Sequence, residues 1–123
     1  MCAASRKTVS RRYGKYGAKR TVYRGVTYDS KSEAAYAAYL DRAVKAGLLV
    51  GWERQKPIVL VVNGVKVCKM IADFLVHERG GVQRYVEVKG VRTAAYNLKL
   101  KLLKALHPDL PYSLVSAKEA LSL

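Results

Sequence analysis

Val22 to Tyr28 carries apolar and β-branched residues on both sides of Arg24-Gly25, which predicts a short strand pair or an extended lead-in. The pattern then changes period. Tyr36, Tyr39, Leu40, Ala43 and Val44 recur at helical spacing, Ser30-Lys31-Ser32-Glu33 supplies a capping box at the start, and Gly47 stops the run. Leu49 to Val62 is strand-like, with Pro57 at a bulge or on an edge. Asn63-Gly64 is the strongest hairpin signal in the chain and joins that strand to Val65–Val67. Two further β-rich runs follow, Met70 to Val76 and Tyr85 to Lys89, with the turn residues Arg79-Gly80-Gly81 between them. A second helix is predicted from Thr93 to Leu106, ended by His107-Pro108. Tyr112 to Ser116 is a last strand, and Ala117 to Leu121 a final helical turn. The order is α-β-β-β-α-β without internal repeat or linker. A strand, helix, strand connection implies one parallel pairing, so the expected sheet is mixed.

The hairpin around Gly80 carries the chemistry. A turn centred there sets Asp73 directly opposite Glu87. Side chains so opposed have Cβ atoms about 4.5–5.5 Å apart, and like charges at that separation destabilise a sheet. Strand alternation puts Lys89 on the face of Glu87, with Val86 and Val88 on the other. Two carboxylates and an ammonium are thus gathered at the end of an apolar hairpin. A divalent cation would relieve the repulsion, and hard oxygen donors suit magnesium. A plain cross-strand salt bridge is the alternative, because a short D…ExK pattern also arises by chance.

Two other residues have double readings. On the second helix Ala95, Leu98, Leu102, Leu103 and Leu106 form one apolar stripe at about 100° per residue, with Asn97, Lys101 and Lys104 opposite. Lys99 falls inside that stripe. Either its stem packs while the ammonium reaches water, or it points toward the carboxylates or a bound phosphate. Glu33 has a sufficient role as the capping-box acid, which the sequence alone favours, although a helix packed on the sheet could aim its first-turn carboxylate at the cluster.

Composition narrows the partners. The 123 residues suit one domain, half of them apolar. Cys2 and Cys68 suggest neither a disulfide framework nor a zinc site, which fits a reducing cytoplasm. No segment approaches membrane-span length, and the N-terminus lacks a signal peptide's apolar core. Net charge is +14, from 23 basic and 9 acidic side chains. Residues 1–24 hold Arg6, Lys7, Arg11, Arg12, Lys15, Lys19, Arg20 and Arg24 with no acid, interleaved with Tyr13, Gly14, Tyr16 and Gly17. Such an arm suits neutralisation of a phosphate backbone, each contact releasing counterions. A solubilising tail or membrane-surface patch is less suited, since no apolar helical face accompanies the charge. The chain therefore divides into a basic, flexible DNA-binding arm (1–21) and a folded domain (22–123). His77 and His107 sit where elements end.

The element order, with Asp73 and Glu87-Val88-Lys89 on adjacent strands, resembles the PD-(D/E)xK superfamily of restriction-endonuclease-like nucleases. Within it, the small basic chain is similar to phage-encoded Holliday junction resolvases. Tyr28-Asp29-Ser30-Lys31-Ser32-Glu33 and Glu87-Val88-Lys89-Gly90 carry the likeness, which spans roughly residues 22–116. Ala72 stands where the family's name has proline, a position that holds no metal. The resemblance implies an α/β fold with an αβββαβ core, its mixed central sheet flanked by helices. It implies magnesium, with manganese substituting, on Asp73, Glu87, the Val88 carbonyl and Glu33, and gives Lys89 the attacking water to position or deprotonate. It makes Glu33 site-facing. The implied activity is endonucleolytic cleavage of four-way junctions by a homodimer, leaving 5′-phosphate ends, in a bacterial host's cytoplasm and with no organic cofactor. Nicked, flapped or linear duplex substrates, or a non-enzymatic basic DNA-binding protein, are the rival readings.

Overall fold

The computed structural model describes residues 19–123. Arg11, Arg12 and Lys15 of the basic arm lie outside the described residues, whereas Lys19 and Arg20 are within them and exposed. Strands β1 (Thr21–Tyr23) and β2 (Val26–Tyr28) pair antiparallel across Arg24-Gly25, whose φ angles of 49° and 78° are both positive. A two-residue turn of that hand matches the right-handed twist of the strands. Helix α1 (Lys31–Lys45) begins where the Ser30 hydroxyl accepts from the Glu33 amide, 3.1 Å away. Ala34, Ala37, Leu40 and Ala43 form its buried stripe, with Tyr36 and Tyr39 packed beside it. After Ala46, Gly47 takes the left-handed conformation (φ 78°) that ends many helices.

β3 (Leu49–Val62) and β4 (Val65–Glu78) form one long antiparallel ribbon closed by Asn63-Gly64, both with positive φ. Val65–Val67 and the Asp73 segment are thus a single strand. β5 (Gln83–Lys89) pairs antiparallel with β4, and β6 (Tyr112–Ser116) pairs parallel with β5. The chain is α/β, with a mixed four-stranded sheet in the order β3-β4-β5-β6. β3 is an edge, where Pro57 costs no interior ladder bond. Helix α2 (Ala94–Leu106) makes the crossover between the parallel strands, and α3 (Ala117–Leu121) closes the chain with a capping box of Ser116 and Glu119.

Each sheet face has its own core. Tyr28, Phe74, Val76, Val86 and Val88 pack with α1 and with Ala120 of α3; Ile58, Leu60, Met70 and Ala72 pack with Tyr96, Leu100 and Leu103 of α2. Burial of each large apolar side chain contributes about 1.5–3 kcal/mol. The two lists show that the ribbon changes face midway. Even-numbered residues of β4 face α2 up to Ala72 and α1 from Phe74 onward; in β3, Trp52 belongs to the first core and Ile58 to the second. The change falls at Gln55 and Asp73, which the ladder skips between Arg54↔Phe74 and Lys56↔Ala72. Gln55 has φ 51°, an uncommon conformation for a residue with a Cβ.

Helix α2 corrects the expected stripe. Tyr96, Leu100 and Leu103 are buried, while Leu98 is 69% exposed and Ala95 is exposed too. The buried face lies roughly a quarter turn from the leucine-weighted one, at about 100° per residue. The anchor is Tyr96. Its ring packs in the core, and its hydroxyl pairs with that of Tyr112 at 2.8 Å.

Candidate active site

The β4–β5 register follows the turn at Gly80: His77↔Gln83, Val76↔Arg84, Leu75↔Tyr85 and Phe74↔Val86. Phe74↔Val86 is the last rung, and beyond it the two strands separate. Asp73 and Glu87 occupy the next position, and each carboxylate takes over a backbone hydrogen bond there. Asp73 Oδ2 accepts from the Val88 amide at 2.8 Å, and Glu87 Oε1 accepts from the Asp73 amide at 3.1 Å. The acids are therefore interlocked across the fork. Buried N–H groups without partners are costly, so the same bonds that satisfy the frayed ladder hold both carboxylates in place.

Glu87 is only 7% exposed. Lys89 shares its face, as strand alternation predicts, with Nζ 3.3 Å from Glu87 Oε2 and 4.5 Å from the centroid of the Tyr96 ring. Val86 and Val88 face the other core. Burial, then the charges of Glu87 and Glu33, push the Asp73 carboxyl up to about 8, against the Val88 amide and the Lys89 charge. Burial also raises Glu87, with Lys89 opposing. Burial and mutual charge thus disfavour two ionised acids in the half-dry fork, and a cation would relieve the same electrostatic cost.

Glu33 sits in the first turn of α1. Burial, Asp29 and Glu87 push its carboxyl up to about 7, while Arg54 and the Ser30 hydroxyl hold it down. Its carboxylate is close enough for its charge to raise Asp73 and for that of Glu87 to raise it in turn. The Ser30 half of the capping box is formed. Among the described residues, however, no three metal-ligating side chains converge closely enough to form a cluster. Glu33 therefore does not complete a three-ligand set with Asp73 and Glu87.

Lys99 goes elsewhere. Its Nζ donates to the Lys69 carbonyl at 3.4 Å, further along β4 toward the hairpin tip, which is the snorkelling arrangement. His77 bonds Glu53 at 2.7 Å, and His107 caps the C-terminus of α2. Two residues beside the fork, and a third on α1, carry no clear signature in the sequence. Tyr96 floors the lysine; Arg54 places its guanidinium 4.3 Å from the centroid of the Tyr28 ring. Only α2's i, i+4, i+7 spacing of Tyr96, Leu100 and Leu103 hinted at the first. Asp41, which accepts from the Tyr23 hydroxyl and the Trp52 indole and so ties the β1–β2 pair and β3 to α1, likewise has no local signature.

Asp73 and Glu87 offer oxygen donors of the kind hard divalent cations take, with no third ligating side chain converging on them among the described residues. Asp73 Oδ1 is engaged by none of the hydrogen bonds among the described residues, and an ionised carboxylate has roughly four acceptor positions. A strand residue's N–H and C=O leave the same edge, so the Val88 carbonyl faces the side on which its amide meets Asp73. Oxygen donors of this type suit magnesium or calcium better than thiophilic metals.

No helix of the described residues is long and apolar enough to cross a membrane. Curated proteins give no match to the chain. Residues 13–120 match the family described as "Protein of unknown function (DUF1064)", which takes in both the fork and the last residues of the basic arm, and the chain belongs to that family.

Proposed function

We propose that this protein is a metal-dependent DNA endonuclease of the PD-(D/E)xK kind that hydrolyses phosphodiester bonds at four-way junctions, leaving 5′-phosphate ends. One observation carries the reading: the half-buried Asp73 and the buried Glu87 are interlocked at a strand fork, with Lys89 3.3 Å from Glu87. The ladder bonds that the two acids replace need only one oxygen from each, so opposing two like charges there serves more than the sheet in a chain of net charge +14. The αβββαβ element order supports the same reading.

Asp73, Glu87 and the Val88 carbonyl would hold the ion, with Glu33 outside that set. Magnesium bound there would supply Lewis-acid polarisation of the phosphate and a nucleophilic water at neutral pH. Lys89 is braced by Tyr96 and Glu87. Its ammonium would orient the attacking water and stabilise charge growing on a phosphate oxygen. The backbone bonds to both carboxylates keep the acids aligned without relying on flexible side-chain partners. Symmetric cuts at a junction need two such forks held at a fixed distance, hence a homodimer.

The test is incubation of the protein with a synthetic immobile junction and, separately, its linear arms, in magnesium and in EDTA. The reading expects magnesium-dependent paired nicks near the branch point and little cutting of the arms. Equal cutting of both substrates would keep the nuclease and remove the junction selectivity. Absence of cutting on every DNA in magnesium and in manganese would remove the nuclease.

A further inference from the structure

Arg54 is the cation next to the fork whose guanidinium makes none of the ion pairs or hydrogen bonds found among the described residues. Other strand cations nearby are engaged: Lys56 pairs with Glu53 at 2.8 Å, Arg84 with Glu78 at 3.0 Å, and Lys89 with Glu87. Arg54 instead sits over an aromatic ring, its Cζ 4.3 Å from the centroid of Tyr28, a residue only 2% exposed in the α1-side core. A guanidinium seated over a buried ring is held in place while its N–H donors stay available, and such a fork of donors suits two oxygens of a phosphate.

Its place in the sheet is equally specific. Arg54 pairs with Phe74, so it stands one rung from Asp73, and it precedes Gln55, whose left-handed backbone marks the face change. Trp52, two residues earlier in β3, belongs to the α1-side core, whereas Lys89 contacts Tyr96 of α2. Arg54 and Lys89 therefore flank the acid pair from opposite faces of the sheet.

We propose that Arg54, seated on Tyr28, is a phosphate-binding subsite that clamps a backbone phosphate of the nucleic acid on the α1 side of the fork. The inference rests on the nuclease reading for the identity of its ligand. Arg54 holds substrate and takes no proton, so its loss raises KM far more than it lowers kcat. The alternative role is internal, with the guanidinium merely offsetting the Glu33 charge.

Binding of a fluorescent synthetic duplex, with calcium in place of magnesium and the duplex checked for intactness, separates these roles when followed across a salt series. Arg54→Met keeps the stem on the ring and deletes the charge. Arg54→Gln is made in parallel, so that misfolding of one variant leaves the other, with thermal unfolding as the check. Loss of one phosphate contact lowers the log–log salt slope by about 0.9, and Arg54→Lys restores it. Lys56→Met, which removes an ammonium already paired, leaves the slope unchanged. An unchanged slope in folded Arg54 variants, or an equal fall in Lys56→Met, overturns the subsite. If wild type cuts DNA while the Arg54 slope stays unchanged, the subsite fails and the nuclease stands. If the slope falls but wild type cuts no DNA, the contact stands and the nuclease fails.

Discussion

Asp73 and Glu87 do two jobs with the same atoms. Their oxygens replace ladder bonds that the diverging strands no longer make, and their charges face each other in a half-dry fork. The raised carboxyls (Asp73 at about 8, Glu33 at about 7, Glu87 upward) mean that the folded, metal-free protein binds protons the unfolded chain has released. Stability from these groups is full below the unfolded carboxylate values and is lost as pH rises through the folded ones. Metal-free thermal unfolding should therefore move to lower temperature between about pH 5 and about pH 8, with Asp73→Asn flattening the trend. Magnesium should raise the midpoint more at the upper end, where the site is ionised; equal shifts across the range would argue against an ion in the fork. Glu33→Gln should keep the Ser30 cap, which uses the residue 33 amide, and so keep the melting temperature while slowing cleavage. An active, normally folded variant would leave Glu33 outside the chemistry.

At the scale of elements, the fork depends on the face change in the β3–β4 ribbon. Gln55 at φ 51° carries strain that glycine would not. Gln55→Gly should fold with equal or greater stability and retain the fork. Gln55→Val should lose more than about 1 kcal/mol, because a β-branched side chain resists that conformation. Chemical denaturation of both measures this, and a fully stable Gln55→Val would show that the left-handed turn is not required. This device was invisible in the chain, since a glutamine in a strand looks like any polar position. The pairing of Asp73 with Glu87 was legible, because Gly80 and Gly81 fix the turn and a strand's period of two does the rest. The face of α2 was misread for a simple reason. Leucines outweighed one tyrosine in the stripe, whereas the structure buries Tyr96 and leaves Leu98 open. Lys99 followed that rotated stripe and bonds Lys69 rather than the acids.

The whole molecule is a small acid-lined fork inside a strongly basic chain, 23 basic side chains against 9 acidic. On the proposed reading, long-range attraction belongs to the surface and the chemistry to the fork, so the two are separable by mutation. Removing residues 1–20 deletes seven basic side chains and stops short of β1. If roughly four of them contact phosphates, the log–log salt slope of DNA binding should fall by about 3.6, at about 0.9 per contact. Cleavage at saturating protein should persist, and an unchanged slope would mean the arm does not touch DNA. The central claim is narrower and is tested by single-turnover cleavage with Asp73→Asn and Glu87→Gln beside wild type, all in magnesium. Each amide still accepts the backbone bond its parent accepted, so both variants should fold and bind DNA at least as tightly as wild type. Both should nevertheless be inactive, and Lys89→Ala should be slower by at least about 10²-fold. Cleavage near the wild-type rate by either carboxylate variant would contradict the account.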